Sequence, residues 1–250
     1  MIFDFLRFSA VLGLLGLPAI AQSAAPAVST TSNQANQAFS AGKPVASVEM
    51  AGTANWFVGS ARDSGPVKLS ANVNGENRAE FDLSNGTRIE SQSAITGDRT
   101  CSWTGKDGVS HDMTSSNCWT ATIWFLPHLA LQSTGIPSAL GVQSLPTATG
   151  STTLHLRHQL VIAPGLTKPA VTALIQSWSA TDLSLDATTH LPIDLKYTIH
   201  PDSNSSVNLQ VEVRYSNYQN VSGVELPMHI ERYVNGRLQL SIDVASAVVN

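Results

Sequence analysis

Between Val207 and Asn250 apolar residues fall on every second position. Val207, Leu209, Val211, Val213 and Tyr215 alternate with polar neighbours, and the pattern resumes over Val224 to Tyr233 and again over Leu238 to Val248. A period of two is that of a sheet with one wet face and one dry face. Asn235-Gly236 between the last two segments predicts a hairpin turn, because both of its central residues take positive φ. Leu209, Val211, Val213, Leu226, Met228, Ile230, Leu238, Leu240, Ile242 and Val244 then form a dry face that some other part of the chain must cover.

The first half of the chain repeats this construction. Val45 to Val58 reads as a strand. Val67 to Val73 ends at Asn74-Gly75, Arg78 to Leu83 at Asn85-Gly86, Arg88 to Thr96 at Gly97-Asp98, and Arg99 to Thr104 at Lys106-Asp107-Gly108; Val109 to Met113 closes the series. Turn dipeptides recurring between alternating segments predict an antiparallel meander. From Ser115 the period changes. Trp119, Ile123, Trp124, Phe125, Leu126, Leu129 and Leu131 form an apolar stretch without strand alternation, which Pro127 divides into two short helices or one kinked helix. Ser133 to Gly150 reads as irregular. Sheet then resumes with Thr152 to Ile162, Gln176 to Asp186, and a strand in which Ile193, Leu195, Tyr197 and Ile199 share a face.

The N-terminus bounds the folded part. Phe8 to Ala21 is an apolar run shorter than the roughly 20 residues that span a bilayer, and Ala19-Ile20-Ala21 ends it with small residues at a peptidase site. Residues 1–21 are predicted to be a secretory signal peptide cleaved after Ala21, leaving an exported, soluble protein, periplasmic or extracellular, without a stable membrane span. Residues 22–44 read as a flexible leader, in which Asn33 to Phe39 is the segment able to form a short helix and dock Phe39. Residues 45–250 form one domain. The two cysteines, Cys101 and Cys118, are expected to pair in an exporting compartment. A formal net charge of -4 and only 13% charged residues, with no basic cluster, give no electrostatic footprint for nucleic acid.

About a dozen one-faced strands and a single apolar helical segment limit the architecture. The predicted fold is mainly β: a strongly curved antiparallel sheet, an incomplete or half barrel, with one or two short helices from Trp119 to Leu131 plugging its concave face. Within this frame, Asp186-x-x-Thr189-x-Leu191-Pro192, Tyr215-x-x-Tyr218-x-x-Val221-x-Gly223-Val224-x-Leu226-Pro227, and the Asn235-Gly236 hairpin with its terminal strand stand as one ordered set of signatures. The chain resembles the LolA-like family of lipoprotein-localisation factors and related exported bacterial proteins. The resemblance implies an incomplete barrel plugged by helices and, from the family's carriers, an apolar cavity that shields acyl chains.

Candidate sites follow. Trp119, Ile123, Trp124, Phe125, Leu126 and Leu129, facing Val213, Met228 and Leu240, form either a permanent hydrophobic plug or the lining of a cavity for a lipid or acylated ligand. His155 and His158 lie on opposite faces of a strand and cannot share an ion; His158 belongs to the Leu154/Leu156/Leu160 face as a buried neutral histidine. The pairs His229 with Glu231 and His200 with Asp202 supply two ligands each where zinc takes three or four, so no metal is expected. Ser110-His111-Asp112 has triad chemistry, but neighbours on a strand cannot converge. Without a catalytic motif or cofactor signature, the expectation is a non-enzymatic binding or carrier protein, with an envelope protein-interaction module as the alternative and a cell-envelope hydrolase ranked third.

Overall fold

The computed structural model describes residues 28–94, 99–120, 124–132, 140–144, 152–160, 162 and 164–250. The signal-peptide segment, the Gly97-Asp98 turn and Ile123 lie outside these residues. The strands are β1 (Ser47–Val58), β2 (Ala61–Asn72), β3 (Asn77–Leu83), β4 (Gly86–Ala94), β5 (Arg99–Thr104), β6 (Ser110–Asp112), β7 (Leu140–Ser144), β8 (Thr153–Leu160), β9 (Thr181–Asp186), β10 (Pro192–Ile199), β11 (Leu209–Val221), β12 (Val224–Val234) and β13 (Arg237–Val249). The helices are α1 (Val28–Ser40), α2 (Ser115–Thr120), α3 (Pro127–Gln132) and α4 (Pro169–Trp178).

All the strands join one antiparallel sheet in the order β6-β5-β4-β3-β2-β1-β13-β12-β11-β10-β9-β8-β7. The chain starts at the centre of this sheet and meanders out to one edge. It crosses to the opposite edge and meanders back, so that β1 and β13 form a central seam. Every other neighbouring pair is consecutive in sequence, as short hairpin loops dictate. At the seam the register shifts between Ala51 and Gly52, and a Cβ on Gly52 would collide with the Asp243 carbonyl. A glycine there permits the close approach that a bulge demands. Ser222-Gly223 and Asn235-Gly236 both carry positive φ and make the tight turns on either side of β12, as the sequence predicts at Asn235-Gly236.

The sheet is an open half-barrel, and the curl can be read from one contact. Glu90 on β4 and Arg232 on β12 are separated by five inter-strand steps, about 24 Å along the sheet, yet their side chains meet at 2.9 Å. Only a sheet rolled around its inner face brings them together. That inner face carries the core: Val48, Met50 and Ala54 from β1, Val67 and Leu69 from β2, Phe81 from β3, Leu183 and Leu185 from β9, Val211 and Val213 from β11, Leu226 and Ile230 from β12, and Leu240 and Ile242 from β13, all buried.

Several local readings of the sequence are revised. Gln176 does not begin a strand: Lys168-Pro169 starts α4 with proline at its first position, where the missing N–H costs nothing, and β9 begins at Thr181. A register shift between Pro192 and Asp194 turns Ile193 off the inner face, leaving it 37% exposed. A second shift at Arg232/Tyr233 sets Leu238 opposite Tyr233 rather than on the dry face. The stretch read as irregular after Ser133 contains β7. At the N-terminus, α1 is longer than the Asn33–Phe39 segment, and its Ala35 and Phe39 are fully buried. Among the described residues no helix is long and apolar enough to cross a membrane.

Candidate functional site: the concave face and its open end

The crossing from β6 to β7 runs through the concavity. Helix α2 follows Thr114, whose carbonyl accepts from Cys118 N–H, and the disulfide between Cys101 on β5 and Cys118 ties α2 to the sheet with a Cα–Cα distance of 5.4 Å. In the chain-entropy model a loop of this size contributes about 3 kcal/mol. Asn117 makes a second tie, donating to the His200 carbonyl at 2.7 Å and accepting from the His200 N–H at 2.8 Å. Pro127 opens α3, so the apolar stretch forms two short helices.

Trp124, Phe125, Leu126 and Leu129 are buried against the core. The Tyr215 hydroxyl donates to the Trp124 carbonyl; burial pushes the Tyr215 phenol up, so it remains a donor. Beside them His128 is 1% exposed and stacks on Phe39 of α1 at 4.7 Å. Burial pushes its pKa down to about 3, against a smaller opposing effect of a hydrogen bond to the His190 backbone. Its Nε2 has no partner. The middle of the half-barrel is therefore filled. Val213 and Leu240 are fully buried in this part, and Met228 is 8% exposed further along β12. Trp119 is half-buried and faces a separate cavity of about 30 Å³ with Leu131, Leu156, His158 and Leu183. His158 does point inward there, but it is half-buried rather than buried.

One end of the concavity is different. A pocket of about 280 Å³ opens there, walled by Trp56, Trp103, Trp124 and Tyr197, with aliphatic contributions from β10, β11 and β12. On its floor Arg232 donates from Nη1 and Nη2 to the two carboxylate oxygens of Glu90, each at 2.9 Å, and the Trp124 Nε1–H donates to Glu90 at 3.0 Å. The guanidinium lies 4.7 Å from the Trp124 ring and 5.4 Å from the Trp56 ring. Arg232 is 7% exposed. Burial is the largest single influence and makes its charge costly, but the charge of Glu90 and its hydrogen bonds together outweigh that and hold the guanidinium protonated. Burial also pushes the Tyr197 phenol up, so this wall is uncharged.

At the mouth, the Trp103 Nε1–H donates to Asp202 at 3.4 Å and its ring stacks on His111 at 4.3 Å. His200 donates from Nδ1 to the Val207 carbonyl at 3.1 Å, because a carbonyl can only accept. The Trp103–Asp202 contact joins the β5 hairpin to the β10–β11 turn across the opening of the half-barrel.

Of the described residues expected at a binding surface, Trp124 alone lines this pocket. Phe125, Leu126, Leu129, Val213 and Leu240 are packing. Trp56, Glu90, Trp103, Tyr197 and Arg232 line it as well, and none of them was among the residues expected there. A signal for Arg232 exists in the sequence: it occupies the dry-face slot after Leu226, Met228 and Ile230, where an alternating strand should place another hydrophobe. Of the pairs considered as metal ligands, His200 and Asp202 both line this pocket, while the other two stay apart from it. His155 bonds Ser184 at 3.3 Å, while His229 sits between Asp243 and Glu231 at 2.7 and 3.7 Å.

No family model matches the sequence, and no curated protein matches it. Solved structures do resemble it. A domain of an outer membrane lipoprotein-sorting protein from Vibrio parahaemolyticus superposes with a TM-score of 0.55 at 8% identity, over 88% of this chain and 91% of that one. A LolA superfamily protein from Nitrosomonas europaea gives 0.53 at 11% identity, over 88% and 92%. A DUF1329 family protein from Desulfovibrio piger gives 0.51 at 9% identity, again over 88% and 92%. At these identities the likeness establishes architecture, and the chain has a LolA-like fold.

Proposed function

We propose that this protein is an exported, soluble binding or carrier protein for a hydrophobic ligand, such as a lipid, an acylated protein or another apolar molecule. The observation that carries this reading is the pocket of about 280 Å³ between Trp124 and the C-terminal strands. It is concave, largely apolar and supplied with a few polar groups, the usual make-up of a ligand site, although its volume is near the lower end for one. A compact ligand or one end of a chain is accommodated as the pocket stands; anything larger has to displace Trp124. A binding role also agrees with the placement of Ser110, His111 and Asp112, which alternate along exposed β6 and do not converge. The competing reading, an envelope protein-interaction module, is favoured by α4 and its approach, where Leu166, Val171 and Leu174 are 73%, 43% and 45% exposed.

Titration with an environment-sensitive apolar fluorophore, together with native mass spectrometry of protein purified from its own envelope, tests the carrier reading. Saturable binding at one site, weakened by Val211→Trp, which fills the pocket, supports it. Absence of both binding and co-purified ligand overturns it.

A further inference from the structure

The charges in the wall of the open pocket are unequally satisfied. Both terminal nitrogens of Arg232 are paired with Glu90, two indoles flank its guanidinium, and its remaining donor, Nε, is buried without a partner. An anionic head group could take the terminal nitrogens only by expelling Glu90 from its pair with a buried guanidinium, which is strongly unfavourable. Arg88 lies against Trp56 at 5.2 Å but is not part of the pocket wall. Asp202, in contrast, is an exposed carboxylate on the mouth, and no cation among the described residues lies within ion-pairing distance of it. It accepts a hydrogen bond from Trp103, which is 37% exposed. The lining charges thus leave one uncompensated negative group, beside an accessible indole, at the rim of an aromatic pocket.

Resting on the carrier reading, we infer that the pocket selects an amphiphilic organic cation, its apolar body inside against Trp56, Trp124 and Tyr197 and its ammonium group at the mouth, beside Asp202 and against the face of Trp103 opposite the stacked His111. An ammonium over an indole face gains from the ring quadrupole, and a nearby carboxylate adds Coulomb attraction. The same rim repels a carboxylate or sulfate head. The chain's formal net charge of -4 acts in the same direction at longer range.

The test uses three probes with one dodecyl chain and different heads: dodecyltrimethylammonium, monododecanoylglycerol and dodecanoate. Each is titrated below its micelle concentration into the full protein, with calorimetry as the readout. The expected order is cation, then neutral, then anion, with the cation about tenfold tighter than the neutral probe. Asp202→Asn reduces that preference to about twofold, whereas Asp243→Asn, an exposed carboxylate on the outer face, leaves the order as it was. Equal affinity for the three heads, an anion preference, or an unaltered cation preference in Asp202→Asn overturns the inference while leaving the carrier reading intact. Failure of every probe to bind removes both.

Discussion

Under Phe125, Leu126 and Leu129 the half-barrel is filled with hydrocarbon, and these side chains are fully buried. A short distance along the same strands, Glu90, Arg232 and three indoles surround about 280 Å³ of open space. The filled part is held by ordinary packing, in which apolar side chains leave no room for water. The open part is held by a chord of charge and hydrogen bonds, from Glu90 on β4 to Arg232 on β12 and from Trp103 on β5 to Asp202 beyond β10. A pocket lined only by hydrocarbon would collapse or be filled; a bidentate ion pair with indoles on its flanks keeps the two arms of the sheet at a fixed separation without occupying the space between them.

The largest effects should come from breaking that chord. Glu90→Gln leaves the buried Arg232 charge unpaired and is expected to cost about 3–5 kcal/mol, measured by denaturant unfolding. The double replacement Glu90→Gln/Arg232→Met should recover most of this, since the pair's value lies in avoiding an isolated charge. Leu126→Ala in the filled part should cost about 2–5 kcal/mol through a cavity. Trp103→Ala at the mouth should cost within about 1 kcal/mol, because the ring is partly exposed. If Trp103→Ala destabilised as much as Leu126→Ala, the two ends would not differ in kind.

A pH-dependent effect belongs to the filled end. The folded pKa of His128 lies at about 3 against an ordinary 6.5, so between these values the unfolded chain binds a proton that the folded one refuses. Stability attributable to His128 is present above pH 6.5 and is lost as pH falls toward 3, on the order of a few kcal/mol. His128→Gln should flatten the slope of stability between pH 6.5 and 4 relative to the natural protein. An unchanged slope would mean that His128 is not held neutral under Phe39.

The strands at both arms were legible because alternation and Asn-Gly turns are local signals, and so was the need for Trp119 to Leu131 to cover the dry face. The location of the open pocket was not. It depends on which residues of β4 face those of β12, and on shifts at Pro192/Asp194 and Arg232/Tyr233 that carry no local signature. A one-residue shift reverses the faces of everything beyond it, which is why Ile193 and Leu238 were placed inside. Glu90 was hidden differently: Arg88, Glu90 and Gln92 put polar groups on the inner face of β4, the reverse of the pattern used to read the other strands. The end of α4, Gln176 to Trp178, was read as strand because it runs directly toward β9, and the helix before it went unread.

The central claim is that ligand enters the open end while the filled part stays in place, and three methionines report on it separately. Met113 lines the pocket, whereas Met50 and Met228 are buried in β1 and β12 away from it. Protein labelled with 13C at the methionine methyl groups should show, on titration with a dodecyl-chain ligand, a saturable shift of Met113 with Met50 and Met228 unchanged. A shift of Met50 or Met228 equal to or larger than that of Met113 would mean that binding is not confined to the open end, and would contradict the account.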